Sequence, residues 1–485
     1  MKDGPGQDGS VQDAPVPDDA VPDEAAPDDA VPDDAAPDGA VLENAVADGG
    51  QDGPVTRRRV LALGAGGAAV LLAGGAGLLG SRSAGSGTAA AGASGARTSR
   101  AAGTFSPEGA ATVLANRARA VRNGDRMAFL ATVGDAPPAF QDAQSRMYDN
   151  LRKLPLEGWQ ERLLTTQAMD GKSAVVRVEM RYRLRGFDKG YVGRTRYLTL
   201  TPRAGTWTIA GDGTSHGLTD DADIWDAGPL TVVRGRAGLV IGDAAGLDGI
   251  AARLDAAVPV VTSVVGKGWA QRVVALVPAD ASLASALAGP GQSLGEIAAL
   301  ATVAPPARSA GGGSPAPSGA ASAAGGRGED RVIISPGTFG RLNELGRDVV
   351  LTHELTHVAT GGARDRRTPL WLIEGFADYV GYRRVKIGVR SAAGELHREI
   401  AAGRVPSALP AAAEFSGGSP RLSQAYQEAW LACRMVADRY GEATLVRLYR
   451  AAGRVPEATA LHDVLGLTRD RFTAMWRDYV KKELG

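Results

Sequence analysis

The segment VLTHELTHVAT, Val350 to Thr360, constrains this chain more than any other stretch. It sets His353 and His357 four residues apart, with Glu354 directly after the first. On an α-helix that spacing puts both imidazoles on one face, one turn apart, where they can meet a single tetrahedral Zn²⁺. The whole chain has five histidines, so two of them in this phase is a selective use of a scarce ligand. Glu354 points near the same metal without having to bind it. From there its carboxylate can take a proton from a water and pass it to a leaving amine. The competing reading is an ordinary helix that spells HExxH by accident. Two imidazoles do not complete a zinc site, so the functional reading requires a third ligand.

Downstream, TPLWLIEGFADYV supplies one. The first helix can start near Asp348, whose carboxylate can cap it, and it stops at Gly361-Gly362. Thr368 and Pro369 fit the N-cap and first position of a second helix. On that helix Glu374 and Asp378 are four apart and share a face. Glu374 can be the third ligand and leave the fourth position open to water. Asp378 can hold the far ring nitrogen of one histidine and fix its tautomer.

HELTH followed by WLIEGFADY resembles the gluzincin metallopeptidases, in particular the bacterial peptidase MA-like group. The resemblance extends through SQAYQEAWLACRMVADRYG to TAMWRDYVKKEL and covers roughly 230–485. It implies a thermolysin-like, mostly helical zincin domain with a small sheet. It implies His353, His357 and Glu374 as zinc ligands and Glu354 as general base, acting on a peptide or protein substrate. It also implies a tyrosine that steadies the oxyanion, for which Tyr426 is the candidate; a core stripe of Tyr426, Trp430 and Cys433 at helical spacing is the alternative. Sixteen residues separate His357 from Glu374, somewhat fewer than in the best-known gluzincins, which leaves the subfamily open.

The N-terminal part has a different character. Residues 1–55 hold fifteen Asp/Glu and one Lys, so the zero net charge of the chain divides into −14 there and +14 over the remainder. Residues 16–40 repeat VPDDA-like units without a large apolar side chain, which predicts a disordered tail extended by its own repulsion. The positive charge of the remainder is spread along helices and strands rather than gathered with aromatics, so no nucleic-acid partner is expected.

From Val60 to Gly80 there are 21 residues without charge, long enough to cross a bilayer. Arg57, Arg58 and Arg59 precede them and Arg82 follows, a bias that places the N-terminus in the cytoplasm and the bulk of the chain outside. The segment 56–80 is therefore read as a transmembrane anchor. TRRRVL also resembles a twin-arginine export signal, so secretion after cleavage is the alternative. Residues 81–103 form a Gly/Ala/Ser linker.

The fold expected of the rest is α+β in two units. Residues 104–226 open with helical patterning to about Leu154. In AVVRVEMRYRL, apolar Val176, Val178, Met180, Tyr182 and Leu184 then alternate with Arg177, Glu179, Arg181 and Arg183, the mark of a half-buried strand. Helices followed by a curved sheet resemble the cone of nuclear-transport-factor-like domains. Residues 227–485 form the metallopeptidase unit, with strands at LTVVRGRAGLVIG and QRVVALVPAD, a helix around Asp248–Ala257 and a flexible insertion at 304–329. DRVIISPG reads as a strand and as the sheet edge along which an extended substrate lies. The single cysteine, Cys433, excludes an intrachain disulfide and a cysteine zinc cluster, and its apolar helical setting predicts a buried thiol. His216 reads as a surface residue near a loop, and His397 and His462 read as structural. Nothing in the sequence identifies an oligomer. A binding module that keeps the catalytic fold as a scaffold is the competing function, and a zinc hydrolase of some non-peptide bond is a third.

Overall fold

The computed structural model describes residues 105–170, 172–289, 294, 297–308, 327–416 and 418–485. The acidic repeat, the apolar segment 60–80, the linker 81–103 and most of the 304–329 insertion lie outside the described residues. Among the described residues no helix is long and apolar enough to cross a membrane.

The chain is mixed helix and sheet, as the patterning predicts. It opens with α1 (Pro107–Asn123), α2 (Arg126–Ala131) and α3 (Pro138–Leu151). Ser106 caps α1 by accepting from the Gly109 N–H at 3.1 Å, and Pro107 occupies the first helical position. An antiparallel meander follows: β1 (Leu156–Asp170), β2 (Ser173–Leu184), β3 (Val192–Arg203) and β4 (Thr206–Asp212). The period of two in β2 holds. Val176, Val178, Met180, Tyr182 and Leu184 are buried, while Arg177, Arg181 and Arg183 are only partly covered on the other face; Glu179, expected there with them, is buried and pairs with Arg162 at 3.2 Å. Register shifts at Leu163/Thr165 and Thr166/Ala168 in β1, and at Thr199/Leu200 in β3, mark bulges, which bend a sheet.

The second sheet runs β5 (Thr231–Arg234), β6 (Gly238–Gly242), β7 (Val273–Val277), β8 (Ala299–Ala304) and β9 (Glu329–Ile334) in chain order. In space the order is β5-β6-β7-β9-β8. β6, β7 and β9 are parallel, and β5 and β8 are antiparallel edges. α4 (Leu247–Val265) crosses from β6 to β7, and α5 (Ala281–Ala288) follows β7.

Both faces of this sheet are covered. Val240, Ala275, Val277, Val332 and Ile334 face α4 and the helical half, while Leu239, Ile241, Val274, Leu276, Leu300 and Ile333 share a core with Trp159, Tyr182 and Trp225 of the first half. That two-sided burial is why VVALV and RVIIS read as continuous apolar runs rather than alternating ones.

The sheet order overturns one expectation. DRVIISPG contains β9, which lies between β7 and β8 with no free edge. The edge is β8, ALATVA, whose run of small residues carries little strand signal of its own.

The remainder is helical: α6 (Pro336–Arg341), α7 (Glu344–Thr360), α8 (Leu370–Gly381), α9 (Val389–Ala392), α10 (Gly394–Ala401), α11 (Leu422–Tyr440), α12 (Glu442–Ala452), α13 (Glu457–Leu465) and α14 (Arg469–Leu484). α7, α8 and α11 pack tightly because glycine stands at their crossings. A Cβ built on Gly375 of α8 would lie 2.2 Å from the Ala429 carbonyl oxygen and 3.0 Å from the Cys433 sulfur of α11. Cys433 is accordingly buried in this seam, as its setting predicts.

Since the 2.2 Å obstacle is backbone, it cannot rotate away. Gly375→Ala is expected to lower stability by about 1–3 kcal/mol despite alanine's better helix propensity, read as a lower denaturant midpoint at unchanged slope.

Candidate metal centre

α7 begins a turn earlier than Asp348. Asn343 is its N-cap, accepting from the Gly346 N–H at 2.8 Å. Asp348 lies inside the helix and pairs instead with Arg253 of α4. The C-terminal stop is where the sequence places it, with Gly361 left-handed at φ 73° and its N–H returning to the His357 carbonyl. α8 starts one residue later than expected. Pro369 is the N-cap, and the Thr368 hydroxyl donates to Asp365 Oδ2 at 2.6 Å rather than capping the helix. The shift occurs because Asp365 also accepts from the N–H groups of Arg367 and Thr368, closing the turn before the helix begins.

These two helices bring His353, His357 and Glu374 together, all fully buried. The Nε2 atoms of the histidines are 3.0 Å apart. Glu374 Oε2 lies 3.3 Å from His353 Nε2 and 3.4 Å from His357 Nε2. For a tetrahedral ion with bonds of about 2.0–2.1 Å, ligand atoms are separated by about 3.3–3.4 Å. The triangle therefore fits one small cation above it. Among the described residues, both carboxylate oxygens of Glu374, Glu354 Oε1 and the Tyr426 hydroxyl are buried without a hydrogen-bond partner. Unpaired buried oxygens are costly and rare, and four of them converging is the signature of a site built around an ion and a polar ligand. The three donors can hold a metal ion.

Asp378 sits where the sequence places it. Its Oδ1 is 2.7 Å from His353 Nδ1. A proton on Nδ1 shared with Asp378 leaves Nε2 as the ring nitrogen that faces a cation once it has given up its own proton. Burial opposes a charge on His353, but the adjacent Asp378 outweighs it and holds the imidazole well above its usual range. Burial likewise opposes ionisation of Glu374, but His357 and His353 pull its carboxyl down to about 2. Glu354 differs. Burial pushes it up to about 7, against the pull of the two histidines. Two carboxylates a few ångströms apart are thus driven in opposite directions, one toward a permanent anion and one toward a group that exchanges a proton near neutrality.

Glu354 is held from a direction that sequence reasoning missed. Its Oε2 accepts from the Ala301 N–H of edge strand β8 at 2.6 Å, leaving Oε1 without a hydrogen-bond partner. Even-numbered residues of β8 face β9, as the Ser335 N–H to Ala298 carbonyl bond of 2.9 Å shows, so the odd-numbered N–H groups point to the open side. No side-chain motif could have signalled a backbone donor in an alanine-rich strand.

Tyr426 on α11 also reaches the site. Its ring centroid is 6.2 Å from that of His353, and the Phe415 ring packs edge-on against it at 5.3 Å. Burial and the nearby Glu374 and Asp378 carboxylates hold its phenol well above the usual range, so it is a proton donor at neutral pH.

The other histidines stand apart from the centre. His216 and His462 bond to their neighbours Ser215 and Asp463, and His397 Nδ1 lies 2.7 Å from the Leu484 carbonyl oxygen. A proline at 301 would remove the N–H that holds Glu354 without breaking a ladder bond, because that N–H is on the open edge. Ala301→Pro is expected to leave metal uptake by His353, His357 and Glu374 unchanged, measured as metal content beside the wild type.

No protein-family profile, curated protein or solved structure matches the chain.

Proposed function

We propose that this protein is a zinc-dependent metallopeptidase of gluzincin type. The observation that carries the reading is the buried His353–His357–Glu374 triangle with the free oxygen of Glu354 beside it. Two imidazoles, one carboxylate and an open fourth position make the donor set of catalytic zinc. An octahedral facial set would draw all three donors to about 3.0 Å, closer than two of the three edges here. Bound zinc supplies an acidified water and polarises the scissile carbonyl.

The chain's own residues do the rest. Glu354 Oε1 accepts the proton of the attacking water and returns it to the departing amine, a role suited to a carboxyl held near neutrality. The Tyr426 hydroxyl donates toward the oxygen that gains charge. Asp378 keeps His353 in one tautomer. An extended peptide lies along the outer edge of β8 near Val303, the Ala301 N–H being taken by Glu354. The segment 60–80 anchors the chain in a membrane, with the N-terminus cytoplasmic and the metal centre outside; the arginines at 57–59 support that orientation.

The test uses full-length protein, wild type and His353→Ala. The wild type is expected to retain about one zinc per chain by elemental mass spectrometry and to cleave members of a broad peptide library. His353→Ala is expected to lose both. Zinc without cleavage of any peptide would favour the binding-module reading.

A further inference from the structure

A cavity of about 640 Å³ lies one helical turn beyond the metal centre and is lined by many cationic side chains. Two elements lead from the centre to it. On α7, Val358 follows Glu354 by four residues and Gly361 follows His357 by four, so each lies on its predecessor's face, and both line the cavity. Past Ala301, the end of β8 continues into Pro306 and Ala307, which line it as well. That continuation is held in place, because the Gly193 N–H donates to the Pro305 carbonyl at 3.0 Å and the Ala307 N–H to the Tyr191 carbonyl at 2.8 Å. The first half of the molecule thus forms one wall of the cavity and the metal-binding half another.

Six cationic side chains line this space against two acids, Glu329 and Asp330. Some of that charge is neutralised in place. Arg331 is paired with Asp188 at 2.8 Å, Arg364 with Asp330 at 2.6 Å, and Arg181 is 4.0 Å from Glu179. Glu329 is occupied by the backbone N–H groups of Lys189 and Gly190 at 3.1 and 2.6 Å. Lys189, Arg272 and Arg327 are left with no carboxylate partner among the described residues, although Arg272 Nη1 also donates to the Gly186 carbonyl at 2.6 Å. Three cations without a carboxylate partner among the described residues share one concave space with Trp269 and Tyr191 as apolar walls, and they focus a positive potential beside the end of α7.

We infer that this cavity is a specificity subsite for acidic side chains of the substrate, filled a few residues from the scissile bond. The inference rests on the metallopeptidase reading for the meaning of substrate. From Glu354 to Gly361 the helix rises about 10 Å, which is about three residues of extended peptide. Lys189, Arg272 and Arg327 recognise the acid run, whereas the metal centre and the β8 edge take any backbone. Peptides with Asp or Glu at that distance from the cut are therefore preferred over their amides.

The experiment is binding without turnover. Zinc-loaded, full-length Glu354→Gln is titrated with a fluorescent alanine-rich peptide ending in Asp-Asp-Asp and with its Asn-Asn-Asn counterpart, at low and high salt. The acidic peptide is expected to bind about 10-fold tighter at low salt, with the gap closing as salt screens it. Adding Lys189→Gln, Arg272→Gln and Arg327→Gln together is expected to abolish the preference while zinc content stays unchanged. The exposed Lys189→Gln alone reduces the preference, which covers the case of a misfolded triple variant. Equal binding of the two peptides, a preference that survives the triple change, or displacement by inorganic phosphate as readily as by the acidic peptide would overturn the assignment. Wild-type protein that cuts no peptide while Glu354→Gln keeps the acidic preference would sink the metallopeptidase reading and leave the cavity's ligand class standing.

Discussion

Full-length Glu354→Gln is expected to hold as much zinc as the wild type and to hydrolyse peptides about 10³-fold more slowly. The substitution keeps the shape of the side chain and the bond from Ala301, since an amide oxygen can still accept that N–H. What it removes is the basic, unpaired carboxylate oxygen beside His353 in the chain. General-base catalysis by a placed carboxylate is worth about 10²–10⁴-fold. The three ligands are untouched, so metal content separates a lost proton acceptor from a damaged site. Single-turnover cleavage of a library-selected peptide, normalised to bound zinc, gives the ratio. A variant that cuts as fast as the wild type would remove Glu354 from the mechanism.

Chelation is expected to lower the thermal midpoint by about 5 °C and added zinc to restore it. A ligand present at about 1,000 times its Kd and bound only by the folded state adds about 4 kcal/mol. With an unfolding entropy near 2.1 cal/mol/K per residue, that amount shifts the midpoint of a folded region this long by about 5 °C. The physical source is visible in the site. Without a cation, Glu374 is a fully buried carboxylate whose close polar neighbours include the two imidazoles that a cation would bind with it. His353→Ala should therefore abolish the response to zinc in differential scanning calorimetry, not merely weaken it. A midpoint indifferent to both chelator and zinc would show that the triangle binds no metal.

The residues that make the centre could be read from the sequence because their spacing is local. Four residues along a helix fix which side chains share a face, whatever the tertiary fold, so His353 with His357 and Glu374 with Asp378 were paired before any contact was known. The seam of α8 and α11 was legible only in part. Cys433 reads as buried from its apolar neighbours, but the need for glycine at 375 comes from a carbonyl on another helix. Helix starts were displaced by up to a turn at Asp348 and by one residue at Thr368, because competing partners, Arg253 and Asp365, claim the side chains that would otherwise cap.

The order of strands was not legible at all. A strand buried on both faces reads the same in the middle of a sheet as at its edge, so the pattern of DRVIISPG does not distinguish its central place from the edge that β8 provides. The sequence by itself determined a helical His-Glu-His motif, a second helix able to complete it, and a half-buried β2. Only the tertiary structure decided three things: that the two helices converge to 3.3–3.4 Å, that a backbone N–H of an alanine strand steadies Glu354, and that a basic cavity opens beyond it. All three depend on residues far apart in the chain, and separation in sequence carries no record of distance in space until the core has packed.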